Sequence, residues 1–175
     1  MSQRDSGYER KERDLYETPA WVTHALVAIL PQLVGRNIIE PACGSGKMVR
    51  AMQDKGLHVT GFDIADGRDF LQCLGAVGSA VVTNPPYVLA QEFCEHAIEL
   101  MRPVNGLVAM LLRTDFDHAK TRQHLFSGCP NFARKLVLTK RIKWFEDSKG
   151  QPSFNHAWYI WDHTHQGAPT LAYGP

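Results

Sequence analysis

The sequence predicts an α/β fold built on a largely parallel sheet, and three observations carry that prediction. Short apolar runs alternate with helix-length stretches over most of the 175 residues; a glycine-rich turn follows the first apolar run; an acidic residue closes the second. Strands that alternate with helices specify layers joined by right-handed crossovers. Such sheets bind ligands beyond the carboxyl ends of their strands.

Taken in order, residues 1–14 are polar, with four positive and four negative side chains and no apolar periodicity, and read as a flexible N-terminal segment. Residues 15–165 read as a single domain and 166–175 as a C-terminal tail. Trp21, Val22, Ala25, Leu26, Ile29 and Leu30 recur at helical spacing, with Thr18 as N-cap and Pro19 at the first helical position. Strands follow over 37–40, 59–63, 80–83, 106–112, 136–139 and 156–161, and helices near 47–55, 90–101 and 118–126.

With 44% hydrophobic residues the chain has material for one substantial core. Net charge is only +1, but the stretch from Arg113 to Lys143 holds eight Lys and Arg against two Asp, a local +6 that leaves −5 for the rest. This asymmetry suits either a basic face that meets phosphates or a solvated loop surface. Cys43, Cys73, Cys94 and Cys129 stand far apart, and the opening residues carry no secretory apolar run. Both features suggest reduced thiols in a cytoplasmic protein. The eight histidines lack ligand spacing, so no metal site is expected, and no apolar run is long enough to cross a bilayer.

The first informative segment runs from Glu40 through Pro41, Ala42, Cys43, Gly44, Ser45 and Gly46, between the first strand and the helix after it. Gly44 and Gly46 allow a tight turn and a close backbone approach to a ligand. A phosphate-binding P-loop needs Gly where Pro41 stands and Ser or Thr where Met48 stands, which excludes that reading. Asp63 closes the next strand, where its carboxylate is placed to accept from both hydroxyls of a ribose. Asp69 and Phe70 follow, an acceptor for an adenine amino group and a ring to lie on its face.

Asn84-Pro85-Pro86-Tyr87 follows the third strand directly. Consecutive prolines cannot continue a ladder, so they force a stiff exit that fixes the Asn84 side chain and the Pro85 carbonyl. A stiff turn explains the prolines but not their flanking Asn and Tyr. An aniline-like or amide nitrogen is a poor nucleophile because its lone pair is delocalised. Two fixed acceptors, the Asn84 oxygen and the Pro85 carbonyl, would each take one N–H and stabilise the charge that grows as the nitrogen attacks a methyl group. Tyr87 would stack on the flat acceptor.

With these motifs in register, the sequence resembles the class I S-adenosylmethionine-dependent methyltransferases, and within them the adenine-N(6) branch with the Asn-Pro-Pro-Tyr tetrapeptide. The resemblance implies a Rossmann-like, mostly parallel seven-stranded sheet with helices on both faces and a C-terminal antiparallel hairpin, supplied by 135–143 and 156–162, with 144–155 as a rim loop. It assigns catalysis to Asn84, Pro85, Pro86 and Tyr87. It assigns S-adenosylmethionine binding to Tyr16, Thr18, Pro19, Glu40, Ala42, Cys43, Gly44, Gly46, Asp63, Ile64, Asp69 and Phe70.

The expected acceptor is the exocyclic amine of adenine in DNA or RNA; a protein glutamine poses the same chemical problem, and a non-catalytic cofactor-binding subunit is a third reading. The sequence-specific members carry a separate target-recognition region, for which this chain has no room. The expectation is therefore that a specificity-conferring protein partner or a loop guides the substrate, that the enzyme is weakly specific, or that the substrate is structured RNA or a protein glutamine. Trp144, Phe145 and Phe154 are candidate stacking surfaces for a base.

Overall fold

A computed structural model of the chain describes residues 16–144 and 154–175. Seven strands form one sheet: β1 (Asn37–Glu40), β2 (His58–Gly61), β3 (Ala80–Thr83), β4 (Leu107–Arg113), β5 (Phe132–Leu138), β6 (His156–Asp162) and β7 (Thr170–Gly174). Their spatial order is β2-β1-β3-β4-β6-β5-β7. The pairs β1/β2, β1/β3, β3/β4 and β5/β7 are parallel, while β6 runs antiparallel to both β4 and β5. The mostly parallel α/β sheet and its C-terminal antiparallel hairpin are therefore as the sequence predicts.

The period-two alternation of a strand sends neighbouring residues to opposite faces. Ile39, Val81, Val108, Met110, Tyr159 and Trp161 pack on one face under α3 (Ala90–Met101). Ile38, Val82, Ala109, Leu111, Trp158 and Ile160 pack on the other, under α1 (Ala20–Ile29) and α2 (Lys47–Gln53). Two buried indoles anchor those layers: Trp158 Nε1 donates to Val22 O at 3.0 Å and Trp161 Nε1 to Leu125 O at 2.7 Å.

Several boundaries differ from the sequence reading. Pro19, not Thr18, holds the N-cap position of α1; its ψ of 145° puts it outside the helix, and no side chain caps the helix there. β2 ends at Gly61, yet Phe62 N still donates to Glu40 O and Phe62 O accepts from Cys43 N, which draws the chain along the glycine loop. The helix expected near 118–126 is a pair of 3-10 segments, Phe116–His118 and Lys120–Leu125. Leu125 and Phe126, its buried apolar residues, are adjacent rather than three or four apart, so no stripe exists to extend an α-helix.

The hairpin's first strand ends at Leu138 rather than reaching 143, and residues 145–153 of the expected rim loop lie outside the described residues. The tail contains the seventh strand, which extends the sheet beyond β5. Among the described residues no helix is long and apolar enough to cross a membrane.

Candidate active site

Because β1 and β3 are parallel, Glu40 and Thr83 finish at the same edge of the sheet, and the loops that leave them open one cavity of about 790 Å3. That size suits a nucleoside-bearing small molecule. Its lining includes Glu40, Ala42, Cys43, Gly44, Asp63, Ile64, Asp69, Phe70, Asn84 and Pro86, together with Tyr16 and Thr18 from the segment that leads into α1.

The loop after β1 is a tight turn, with Gly46 N donating to Cys43 O at 2.8 Å and positive φ at both Gly44 (49°) and Gly46 (80°). Gly44 N–H donates to Asp63 Oδ2 at 2.9 Å, and Ala65 N–H to Asp63 Oδ1 at 2.9 Å. Asp63 thus ties the glycine loop to the exit of β2 before any ligand is considered. Each carboxylate oxygen keeps a second lone pair for a hydroxyl. Asp69 is set in the same way, its Oδ1 accepting from Leu71 N and its Oδ2 from Gln72 Nε2. Phe70 is buried against Phe93, their centroids 5.1 Å apart, so it belongs to the core as well as to the cavity wall.

Glu40 is 1% exposed, and burial pushes its carboxyl up to about 8, against the pull of the Thr83 hydroxyl that donates to Oε1 and of the Ala42 amide. A neutral carboxylic acid at neutral pH is the result. Thr83 is also buried, so this bond clamps the end of β1 to the end of β3 immediately before Asn84.

Asn84 Nδ2 donates to Tyr16 O at 3.0 Å. A carbonyl can only accept, so this contact fixes which way the amide faces. Asn84 Oδ1 is left buried with no hydrogen-bond partner among the described residues. A buried acceptor without a donor costs on the order of 1–3 kcal/mol. Such a vacancy suits a group that brings its own N–H.

Pro86 faces the cavity, while Pro85 is buried and stiffens the turn. Tyr87 does not line the cavity; its ring joins an aromatic cluster at the mouth, 5.7 Å from Tyr16 and 6.2 Å from His156. Trp144 closes the cluster, 5.5 Å from Tyr16 and edge-on to His156 at 5.2 Å. Phe154 instead lies beneath the Arg113 guanidinium, and Phe145 is outside the described residues. Pro19 and Gly46 shape the segments without lining the cavity.

Outside the motifs read from the sequence, Glu17, Lys47, Met48, Ala65, Asp66, Val88, Leu89 and Phe93 also line the cavity. The Ser45 side chain and, less strongly, Lys47 hold the Glu17 carboxyl below its usual range, and Lys47 Nζ lies 3.2 Å from Glu17. This bridge straps the entry segment of α1 to the glycine loop. Its sequence signal is an acid-base pair thirty positions apart, which no local pattern marks.

The basic stretch is broken up in space. Arg113 pairs with Asp115 and Lys135 with Asp117. Arg134 reaches back to Ile29 O and Thr170, and Lys140 lies over Trp21. Arg122 covers Phe116 on the opposite layer.

A Listeria monocytogenes structure provisionally assigned as a class I S-adenosylmethionine-dependent methyltransferase superposes with a TM-score of 0.63 at 12% identity, covering 91% of this chain and 66% of that one. This chain has the class I methyltransferase fold. A type I restriction-modification methyltransferase subunit from Streptococcus thermophilus matches this methyltransferase fold with a TM-score of 0.63 at 15% identity, over 86% of this chain and 45% of that one. In sequence, the chain is 30% identical over 116 residues to the type II methyltransferase M.TthHB8I of Thermus thermophilus, an alignment that covers 56% of this chain and 27% of the relative. No family model matches. The chain spans about a quarter of the length of that curated relative.

Proposed function

We propose that the chain is an S-adenosylmethionine-dependent methyltransferase that methylates the exocyclic amine of adenine in nucleic acid. The observation that carries this reading is Asn84, whose amide is oriented by Tyr16 O so that a buried Oδ1 waits without a donor.

The cavity fits the cofactor's chemistry. Asp63 and Asp69 offer acceptors to hydroxyl and amino groups, Ile64 and Phe70 offer apolar faces to a flat ring, and Gly44 lets the backbone come close. When bound there, the cofactor supplies a methyl group on a sulfonium centre. The protein's part is to hold the acceptor. Asn84 Oδ1, with the Pro85 carbonyl, takes the acceptor N–H groups and so turns the nitrogen's lone pair out of conjugation. Fixed acceptors also stabilise the positive charge that develops on that nitrogen, and one such group is worth roughly 100- to 1000-fold in rate.

The aromatic cluster of Tyr16, Tyr87 and Trp144 favours a flat ring over a glutamine side chain. The names of the Thermus and Streptococcus proteins place them with type II methyltransferases and restriction-modification systems, which favours nucleic acid as the substrate.

The test is transfer of labelled methyl from S-adenosylmethionine to single-stranded DNA, duplex DNA, RNA and protein in parallel, with nucleoside analysis of the product. Label in N(6)-methyladenine is expected. The Asn84→Ala chain should lose at least about 100-fold in rate while calorimetry shows its cofactor affinity little changed. Label confined to protein glutamine would replace adenine as the acceptor, and full activity in Asn84→Ala would remove Asn84 from catalysis.

A further inference from the structure

His156 opens β6, and because β6 runs antiparallel to β4 in a register that pairs His156 with Arg113, it lies at the carboxyl end of β4. That is the same edge of the sheet from which Asn84 and Tyr87 leave β3. The imidazole is 2% exposed, and its Nε2 stands 3.0 Å from the Tyr87 hydroxyl. The two rings are inclined by 32°, and Trp144 meets His156 edge-on at 84°.

A tyrosine ring has two free torsions, and a stacking face needs both of them set. The residue begins a single 3-10 turn, Tyr87–Leu89, rather than a helix. A hydrogen bond at the far end of the phenol fixes the first torsion through the position of the oxygen, and it sets the second through the O–H direction, because conjugation keeps a phenolic O–H in the plane of its ring. We propose that His156 is a positioning residue that fixes the plane of Tyr87 through its hydroxyl, so that a planar acceptor meets a preset stacking face above Asn84. This inference rests on the methyltransferase reading given above.

The geometry has a chemical corollary. With its hydroxyl turned to a buried imidazole, Tyr87 offers an acceptor its ring face. Burial, with the Arg113 charge next in weight, holds His156 at about 4, and the Phe154 backbone and Asp115 oppose them only partly. The link is therefore a neutral one throughout the physiological range and does not switch with pH. Positioned groups of this kind act by holding their neighbours within a fraction of an ångström, not by touching the reacting atoms.

The experiment removes the same bond from either side, with His156→Phe, Tyr87→Phe and the double variant. Two readouts are taken: the steady-state constants for an adenine-bearing oligonucleotide, and the Tyr87 13Cζ resonance in tyrosine-labelled protein, which moves when a phenol gains or loses a partner. Each single variant should raise the acceptor KM by about five- to tenfold, leave cofactor affinity unchanged, and be no worse when the two are combined. His156→Phe should also shift the Tyr87 resonance.

Losses that multiply in the double variant, or an unmoved resonance in His156→Phe, would overturn the proposal. Tyr87→Phe alters only the half-buried partner, so the bond is still tested if His156→Phe fails to fold. A wild-type chain that methylates no acceptor would sink the proposed function, whereas the resonance would still decide on His156.

Discussion

Glu40 carries the largest electrostatic cost of any carboxylate lining the cavity. Its carboxyl is pushed up to about 8, chiefly by burial and to a smaller degree by the nearby Asp63 charge. An unfolded glutamate has already lost its proton near pH 4.5, so the folded chain binds a proton that the unfolded chain does not between those values. Stability is therefore lost as pH rises through the folded value. His156 works in the opposite sense, because its lowered value adds stability as pH rises from about 4 to 6.5. Between pH 6.5 and 8 His156 is neutral in both states, which leaves Glu40 to set the slope. The thermal midpoint should fall across that window, and Glu40→Gln, whose amide oxygen keeps the Thr83 bond, should flatten it. A wild-type midpoint that holds level from 6.5 to 8 would mean that Glu40 is ionised in the folded chain.

That Glu40 lines the cavity was legible from its place before the glycine loop, but its protonation was not. It depends on Thr83, 43 positions away, and on enclosure that only the packed sheet creates. Asn84 was legible for the same local reason, as the residue held before two prolines. What the sequence could not show is that Tyr16 O takes its amide group.

At the scale of elements, sequence reading succeeded where a strand or helix is specified by its own residues. The buried strands β3, β4 and β6 carry near-continuous apolar runs, β1 carries an isoleucine pair just before the glycine loop, and α3 has a clear stripe. It failed where pairing supplies the order. β7 places Leu171 and Tyr173 in the open, and its chief support is the parallel ladder to β5, a contact more than thirty residues distant.

The connection from β2 to β3 shows the same dependence. After the 3-10 turn Phe70–Gln72, it crosses the start of β1, where Ser79 N donates to Asn37 O. A Cβ on Gly78 would sit 2.5 Å from Asn37 O and 3.0 Å from Ile39 Cγ1, whereas Gly75, three residues earlier, has nothing within 4 Å. Gly78→Ala should therefore destabilise the chain by about 1–3 kcal/mol in urea unfolding, and Gly75→Ala should leave the midpoint nearly unmoved. Equal effects at the two positions would show that the crossing is looser than this packing implies.

Across the whole molecule, the question is whether the local +6 of the stretch from Arg113 to Lys143 acts as a single surface. In linear sequence the two acids of that stretch look like a small correction. In space they are Asp115 and Asp117, and each neutralises a cation of the same stretch, Arg113 and Lys135. Of the other six cations, Arg134 and Lys140 turn toward α1 on one layer, and Arg122 packs over Phe116 on the other. Charges divided in this way between two faces do not all follow one phosphate backbone together. Binding to single strands should accordingly respond only weakly to salt, since each phosphate neutralised contributes about 0.7 to the slope of log affinity against log salt. A slope no steeper than about −2 is expected for a single-stranded oligonucleotide titrated between low and physiological salt. A slope near −5 would mean that most of these side chains leave their present partners to meet nucleic acid. Under the proposed function, affinity that accompanies a shallow slope comes from the aromatic mouth formed by Tyr16, Tyr87 and Trp144, and replacing Trp144 by Ala should then weaken binding without changing the slope.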